Sequence, residues 1–169
     1  MIHSARIIKT LDFLDEEYSK NIGSPDIHRP VMFSKLAVLE YCGWIEYALD
    51  EIARNSVRKK LRTKQSRKFL EDKISSTHGF VYKVKFRPML GAAIGTEKLH
   101  KIERKMNKSG DLQILTSKLG SINLQRQVAA HTYTIGRTQN FHAPSTIKQD
   151  LQSLEPILQR YWKAVSEIS

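Results

Sequence analysis

The sequence predicts an all-α fold, a bundle of five to seven helices within one domain spanning residues 1–169. Two observations carry that expectation. Apolar residues recur at intervals of three and four along the long stretches between Gly- and Pro-bearing breaks, which lines them on one face of a helix with 3.6 residues per turn. The chain is also long enough to bury a substantial core, and its 40% hydrophobic and 27% charged residues describe a globular protein rather than a disordered one.

Ile7, Leu11, Leu14 and Tyr18 mark a first helix over about residues 3–20, closed by Asn21-Ile22-Gly23-Ser24-Pro25. A loop with Pro25 and Pro30 leads to what should be the longest helix, over about 34–62. Its stripe is Val38, Tyr41, Cys42, Ile45, Leu49 and Ile52, widened by Trp44 and Tyr47. Phe69, Ile74, Phe80, Val81, Val84 and Phe86 suggest one or two further helices before Pro88, although residues 80–86 also read as a short strand. Gly91 and Gly95 punctuate, and Thr96 is placed to cap a helix from Glu97 to about Met106, followed by a turn over 105–110.

Asp111 can cap a helix over 111–134 that turns Ile114, Leu115, Leu119 and Ile122 inward. Gly120 interrupts it, at about 1 kcal/mol relative to Ala, and marks a kink, a break or a close helix contact. A polar loop over 136–145 follows. Thr146-Ile147-Lys148-Gln149 then resembles a capping box for a last helix over 146–168. Ile147, Leu151, Leu154, Leu158, Tyr161, Val165 and Ile168 keep strict four–three spacing there, with a kink expected at Pro156. The 34–62, 111–134 and 146–168 helices should be central.

Composition excludes several function classes. No run of 18 apolar residues is present to span a membrane, and Met1-Ile2-His3-Ser4-Ala5-Arg6 lacks the apolar core of a signal peptide. Cys42 is the only cysteine, so no intrachain disulfide forms and a reduced, cytoplasmic setting is expected. There is no Gly-rich phosphate loop, no His-Glu-x-x-His and no cysteine cluster, hence no case for a metal or other cofactor. His100 and Glu103 share a helix face but lack further ligands, and read as a surface polar pair. Ser56-Val57-Arg58-Lys59 matches the Ser-x-x-Lys form of some acyl enzymes without any companion motif, and reads as coincidence.

The net charge of +11 favours a polyanionic partner: a nucleic acid, an anionic membrane or an acidic protein. The basic residues concentrate between 54 and 68, where Arg54, Arg58, Lys59, Lys60, Arg62, Lys64, Arg67 and Lys68 occur with no acid among them. That run reads either as a solvated helix end or as a patch that tracks phosphates. Arg54, Arg58, Lys59, Lys60, Arg62 and Lys64 are the candidate RNA-binding residues.

The candidate chemistry lies in Arg126-Gln127-Val128-Ala129-Ala130-His131-Thr132-Tyr133. On a helix, Arg126 and His131 fall within about one and a half turns. The residues between them are apolar and mostly small, so a second helix can approach. A guanidinium suits a phosphate, and an imidazole titrates near neutral pH. An Arg-x4-His is expected by chance about 0.4 times in this chain, and with Tyr two residues on about 0.01 times. Arg137-Thr138-Gln139-Asn140-Phe141-His142 repeats the shorter pattern in a stretch with no apolar periodicity, and reads as a loop coincidence.

Arg-x4-His-x-Tyr late in a small helical chain resembles the HEPN superfamily (higher eukaryotes and prokaryotes nucleotide-binding). Ala143-Pro144-Ser145 with the long last helix is similar too, as are Lys35-Leu36-Ala37-Val38-Leu39-Glu40 and Trp44-Ile45-Glu46. The likeness covers most of the chain, least over about 65–110. Where active members commonly carry Asn, Asp or His after the Arg, this chain has Gln127.

The resemblance implies a metal-independent endoribonuclease, with Arg and His meeting across a symmetric homodimer. It implies Arg126 and His131 as catalytic, supported by Gln127, and Tyr133 as a site that a partner nucleotidyltransferase antitoxin modifies with AMP. The role implied is that of a toxin or defence effector. Residue types alone leave open a blander reading, in which Arg126 meets an acidic neighbour and His131 is a hydrogen-bonded helix histidine. A non-catalytic helical module binding RNA or a partner, and a structural subunit docking an acidic protein, also remain open.

Overall fold

The computed structural model describes residues 1–58, 60–130 and 140–168, residue 168 by its backbone alone. Among the described residues the chain forms seven α-helices, one π-helical turn and no strand, so the all-α expectation holds. In order they are α1 (Ala5–Asn21), α2 (His28–Val57), α3 (Lys64–Ser75), the π turn (Tyr82–Phe86), α4 (Arg87–Ile94), α5 (Thr96–Lys108), α6 (Asp111–Ala130) and α7 (Pro144–Ile168). No helix among the described residues is long and apolar enough to cross a membrane.

The chain divides into two compact units: one of Met1–Ile2, Glu46–Gly120 and Pro156–Ser169, the other of His3–Ile45 and Ser121–Glu155. The divisions fall inside α2, α6 and α7. Two of them coincide with Gly120 and Pro156, the helix-weakening residues, and both helices run through them.

In the second unit α1 buries Ile7, Leu11 and Leu14 of the predicted stripe, while Tyr18, its fourth member, is half-buried. Tyr41 and Trp44 of α2 stack at 6.1 Å between ring centroids, and the Trp44 indole N–H donates to the His3 carbonyl at 3.0 Å. Ile147, Leu151 and Leu154 of α7 are fully buried. α7 begins two residues before the predicted cap, because Pro144 fits a helix's first turn, where its missing N–H goes unused. The Ser145 N–H donates to Asp15 Oδ1 at 2.9 Å, so a carboxylate of α1 serves that helix end, and Lys148 pairs with Asp12 beside it.

In the first unit α2 ends at Val57, short of the predicted limit near 62, and its other end reaches back to His28, taking in Pro30. Continuing the helix would stack Arg54, Arg58 and Arg62 at four-residue intervals, where like charges repel. Thr63 instead caps α3, its hydroxyl oxygen accepting from the Ser66 N–H at 3.1 Å. A strand over 80–86 would set Phe80, Tyr82, Val84 and Phe86 on one side. Instead Phe80, Tyr82 and Phe86 are buried while Val84 is 66% exposed, as a wide helical turn requires. The Tyr82 and Phe86 rings meet Tyr161 edge-on, with centroids 6.4 and 5.5 Å away.

Pro88 opens α4 rather than closing a helix before it. Gly95, at φ +86°, separates α4 from α5, so Thr96 is the first helical residue and not the cap. A Cβ at Gly91 would lie 3.3 Å from Leu99, which shows how closely α4 and α5 pack.

Candidate functional site

The last turns of α6 carry the described part of the Arg-x4-His-x-Tyr motif. Ile122 and Ala129 are buried, and Arg126 stands four residues after one and three before the other, on the same face. Its side chain is half-buried, while Gln127 is exposed. Leu124 and Val128, one turn apart, are 64% and 42% exposed. The stripe of α6 is therefore Leu115, Leu119, Ile122 and Ala129. Ile114, expected inward, is 46% exposed because a 3.6-residue period turns it off that face. His131 and Tyr133 lie outside the described residues, as does the predicted helical continuation to 134.

An unforeseen imidazole reaches the same helix. His142 lies in the segment before α7, and Gln125 Nε2 lies 2.9 Å from its Nδ1. The shorter motif copy, set aside as a loop coincidence, thus ends on a histidine bonded to the residue before Arg126. No periodicity could have signalled this, because His142 reaches Gln125 through the fold and not through a helical spacing.

The basic run proves heterogeneous. Arg54 lies in ion pairs with Glu51 at 3.0 Å and with Glu71 at 3.0 Å, the second made through two of its nitrogens. Its charge is balanced on the spot. Arg58, Lys60, Arg62 and Lys64 are exposed, and Lys59 lies outside the described residues. Contact with the Lys98 ammonium pushes that of Lys60 below the ordinary lysine range, so α5 adds to this basic surface. Arg54, Asn55, Arg58, Arg67 and Trp162 line a cleft of about 750 Å³. Ser56 is buried, its hydroxyl donating to the Ala53 carbonyl at 2.6 Å, so it is no exposed nucleophile.

Charge divides sharply between the units. The first holds 20 of the 28 Lys and Arg and 9 of the 17 Asp and Glu, hence the whole net +11; the second holds eight of each and is neutral. Attraction for a polyanion belongs to the first unit, while the Arg126 motif belongs to the neutral second. Much of the charge comes from residues 65–110, including Lys83, Lys85, Lys101, Arg104, Lys105 and Lys108, which belong to no motif.

Two carboxylate groupings serve structure. Glu103, expected to be a surface partner of His100, accepts from Arg87 Nε at 2.7 Å and from the Tyr82 hydroxyl at 3.0 Å, and Tyr82 in turn meets the Tyr161 hydroxyl at 3.0 Å. Asp50 is pushed up to about 6, first by burial and then by Glu46, Glu71 and Glu51, against the opposing pull of Arg54. Among the described residues no group of His, Cys, Asp or Glu could hold a metal ion. Compared with family models, curated proteins and solved structures, the chain has no match.

Proposed function

We propose that this chain is a metal-independent endoribonuclease of the HEPN type, acting in the cytoplasm as a toxin or defence effector. Arg126 binds the scissile phosphate. His131 is the general acid/base: as imidazole it takes the proton from the ribose 2′-OH, whose oxygen attacks phosphorus, and as imidazolium it protonates the departing 5′-oxygen. The products are a 2′,3′-cyclic phosphate and a 5′-OH. Gln127 supports the site, and Tyr133 is where a minimal nucleotidyltransferase antitoxin attaches AMP.

The observation that carries this reading is the setting of Arg126. Arg126 is half-buried on the inward stripe of α6, where neighbouring side chains restrict its own, and a guanidinium held that way suits a phosphate clamp. Leu124 and Val128, two residues to either side of Arg126 and so on the outward face of α6, present an exposed apolar row on a charge-neutral unit, which suits packing against a second copy. Incubating the pure protein with total RNA in EDTA tests the proposal, with cyclic-phosphate ends expected. Intact RNA after prolonged incubation would overturn it.

A second reading, a non-catalytic module binding RNA or a partner, draws on the charge division. The unit that would hold RNA is not the unit that carries the motif. RNA binding without cleavage in the same assay would select it.

A further inference from the structure

We propose that the groove between α3 and α4 is a stacking site for an unpaired RNA base, with the Phe69 ring as its platform. This rests on the RNA reading above and adds where on the first unit the bases sit.

Phe69 is 67% exposed and lines a groove of about 410 Å³. Gln65, Phe69 and Lys73 follow one another at four-residue intervals and all line it, so α3 presents an amide, a ring and an ammonium in a row. Ala92 and Ala93 of α4 also line it, and their small side chains take up little of its space. The volume falls within the roughly 300–1,000 Å³ of small-molecule sites, enough for a nucleoside.

The surroundings choose the occupant. A lone exposed aromatic is ordinary on a protein surface. This one lies in a groove, one turn from Lys73, on the unit that carries the entire net charge of +11. Lys64, Arg67 and Lys68 precede and flank it on the same helix. A second copy of the chain would bring like charge against like, whereas a nucleic-acid strand brings phosphates for the cations and a flat base for the ring. Cations along a backbone track with an aromatic face for the base are how single strands are held without sequence preference. A duplex keeps its bases stacked on one another and offers none to Phe69.

The test is fluorescence anisotropy with a 5′-labelled single-stranded 12-mer of 2′-fluoro RNA, which lacks the 2′-OH and cannot be cleaved, and with its duplex, over a range of salt. The parent protein should favour the single strand. Phe69→Ala should weaken single-strand binding about tenfold, leave duplex binding unchanged and keep the salt slope. Phe69→Trp should restore affinity, and Lys73→Ala should lower the slope by about 0.7. The ring is two-thirds exposed, so the melting temperature of Phe69→Ala should match the parent's. A parent that binds the single strand with Phe69→Ala equally tight would overturn the stacking site and leave the RNA reading standing. A parent that binds neither form at low salt would overturn the RNA reading and this site with it. A fall from dimer to monomer on Phe69→Ala, seen by light scattering, would assign the groove to a second copy and overturn the proposal.

Discussion

Arg160 grips Asp111 through both carboxylate oxygens, Nε to Oδ2 at 2.7 Å and Nη2 to Oδ1 at 2.6 Å. The pair joins the first residue of α6 to α7, and the Ser109 hydroxyl donates to the same Oδ2 at 2.8 Å. Asp111 is 5% exposed. An acid at a helix's first turn also meets the positive end of its dipole.

From that geometry the first prediction follows. Arg160 beside it, aided by Ser109 and opposed by burial, holds the Asp111 carboxyl below the usual carboxylate range. A lowered carboxyl contributes stability above its unfolded value near 3.9 and loses it as pH falls through the lowered folded value. Asp111→Asn should therefore cost about 1–3 kcal/mol at neutral pH. The deficit should shrink towards pH 3, as thermal melts in a pH series would show.

Asp50 has the opposite sign. Its carboxyl, raised to about 6 by burial foremost, stays protonated in the folded protein at pH values where the unfolded chain has already released the proton. It costs no stability below about pH 4, costs more as pH rises to about 6, and the cost is constant beyond. Asp50→Asn should raise the melting temperature at pH 7.5 and leave it unchanged at pH 4. An equal effect at both pH values would show that the carboxyl ionises normally.

For catalysis, His131→Ala should abolish RNA cleavage and growth inhibition with the fold intact, and Arg126→Ala should do nearly the same. The reading is tested by paired measurements of cleavage in EDTA and of circular dichroism. A His131→Ala protein as toxic as the parent would end the nuclease assignment.

The basic run should separate by variant. Neutralising Arg58, Lys60, Arg62 and Lys64 together should weaken RNA binding and flatten its salt dependence, with little effect on melting, since all four are exposed. Arg54→Ala should instead lower the melting temperature, because Glu51 and Glu71 lose their partner, and should change the salt slope least.

Control should act through Tyr133. Co-expression with a cognate nucleotidyltransferase should add one adenylate there, visible by intact-mass and peptide mass spectrometry, and should remove cleavage without changing the melting temperature or the oligomeric state. The added phosphate can take the place of the RNA phosphate at Arg126. Adenylate on Tyr18 or Tyr161 instead would show another tyrosine to be the target; Tyr161 is fully buried, its hydroxyl against that of Tyr82.

The local pattern by itself determined the helical class and the principal stripes. Burying Ile7, Leu11 and Leu14, or Ile147, Leu151 and Leu154, needs only apolar side chains at the helical period, and that period is written in the chain. It also marked Arg126 as a residue to watch. Tertiary structure decided matters that depend on residues far apart in sequence. Residues 80–86 became a π turn because Tyr82 and Phe86 both found Tyr161. Pro144 began a helix whose Ser145 N–H Asp15 could accept, and Glu103 was taken by Arg87 and Tyr82 rather than left beside His100. Arg54 lost its freedom to Glu71, and His142 arrived beside Gln125. The excess charge was already addressed in the chain, since residues 46–120 alone carry +10 of the +11. Folding added only the +1 of residues 156–169 to the same unit, because charge is summed along the chain but felt through space.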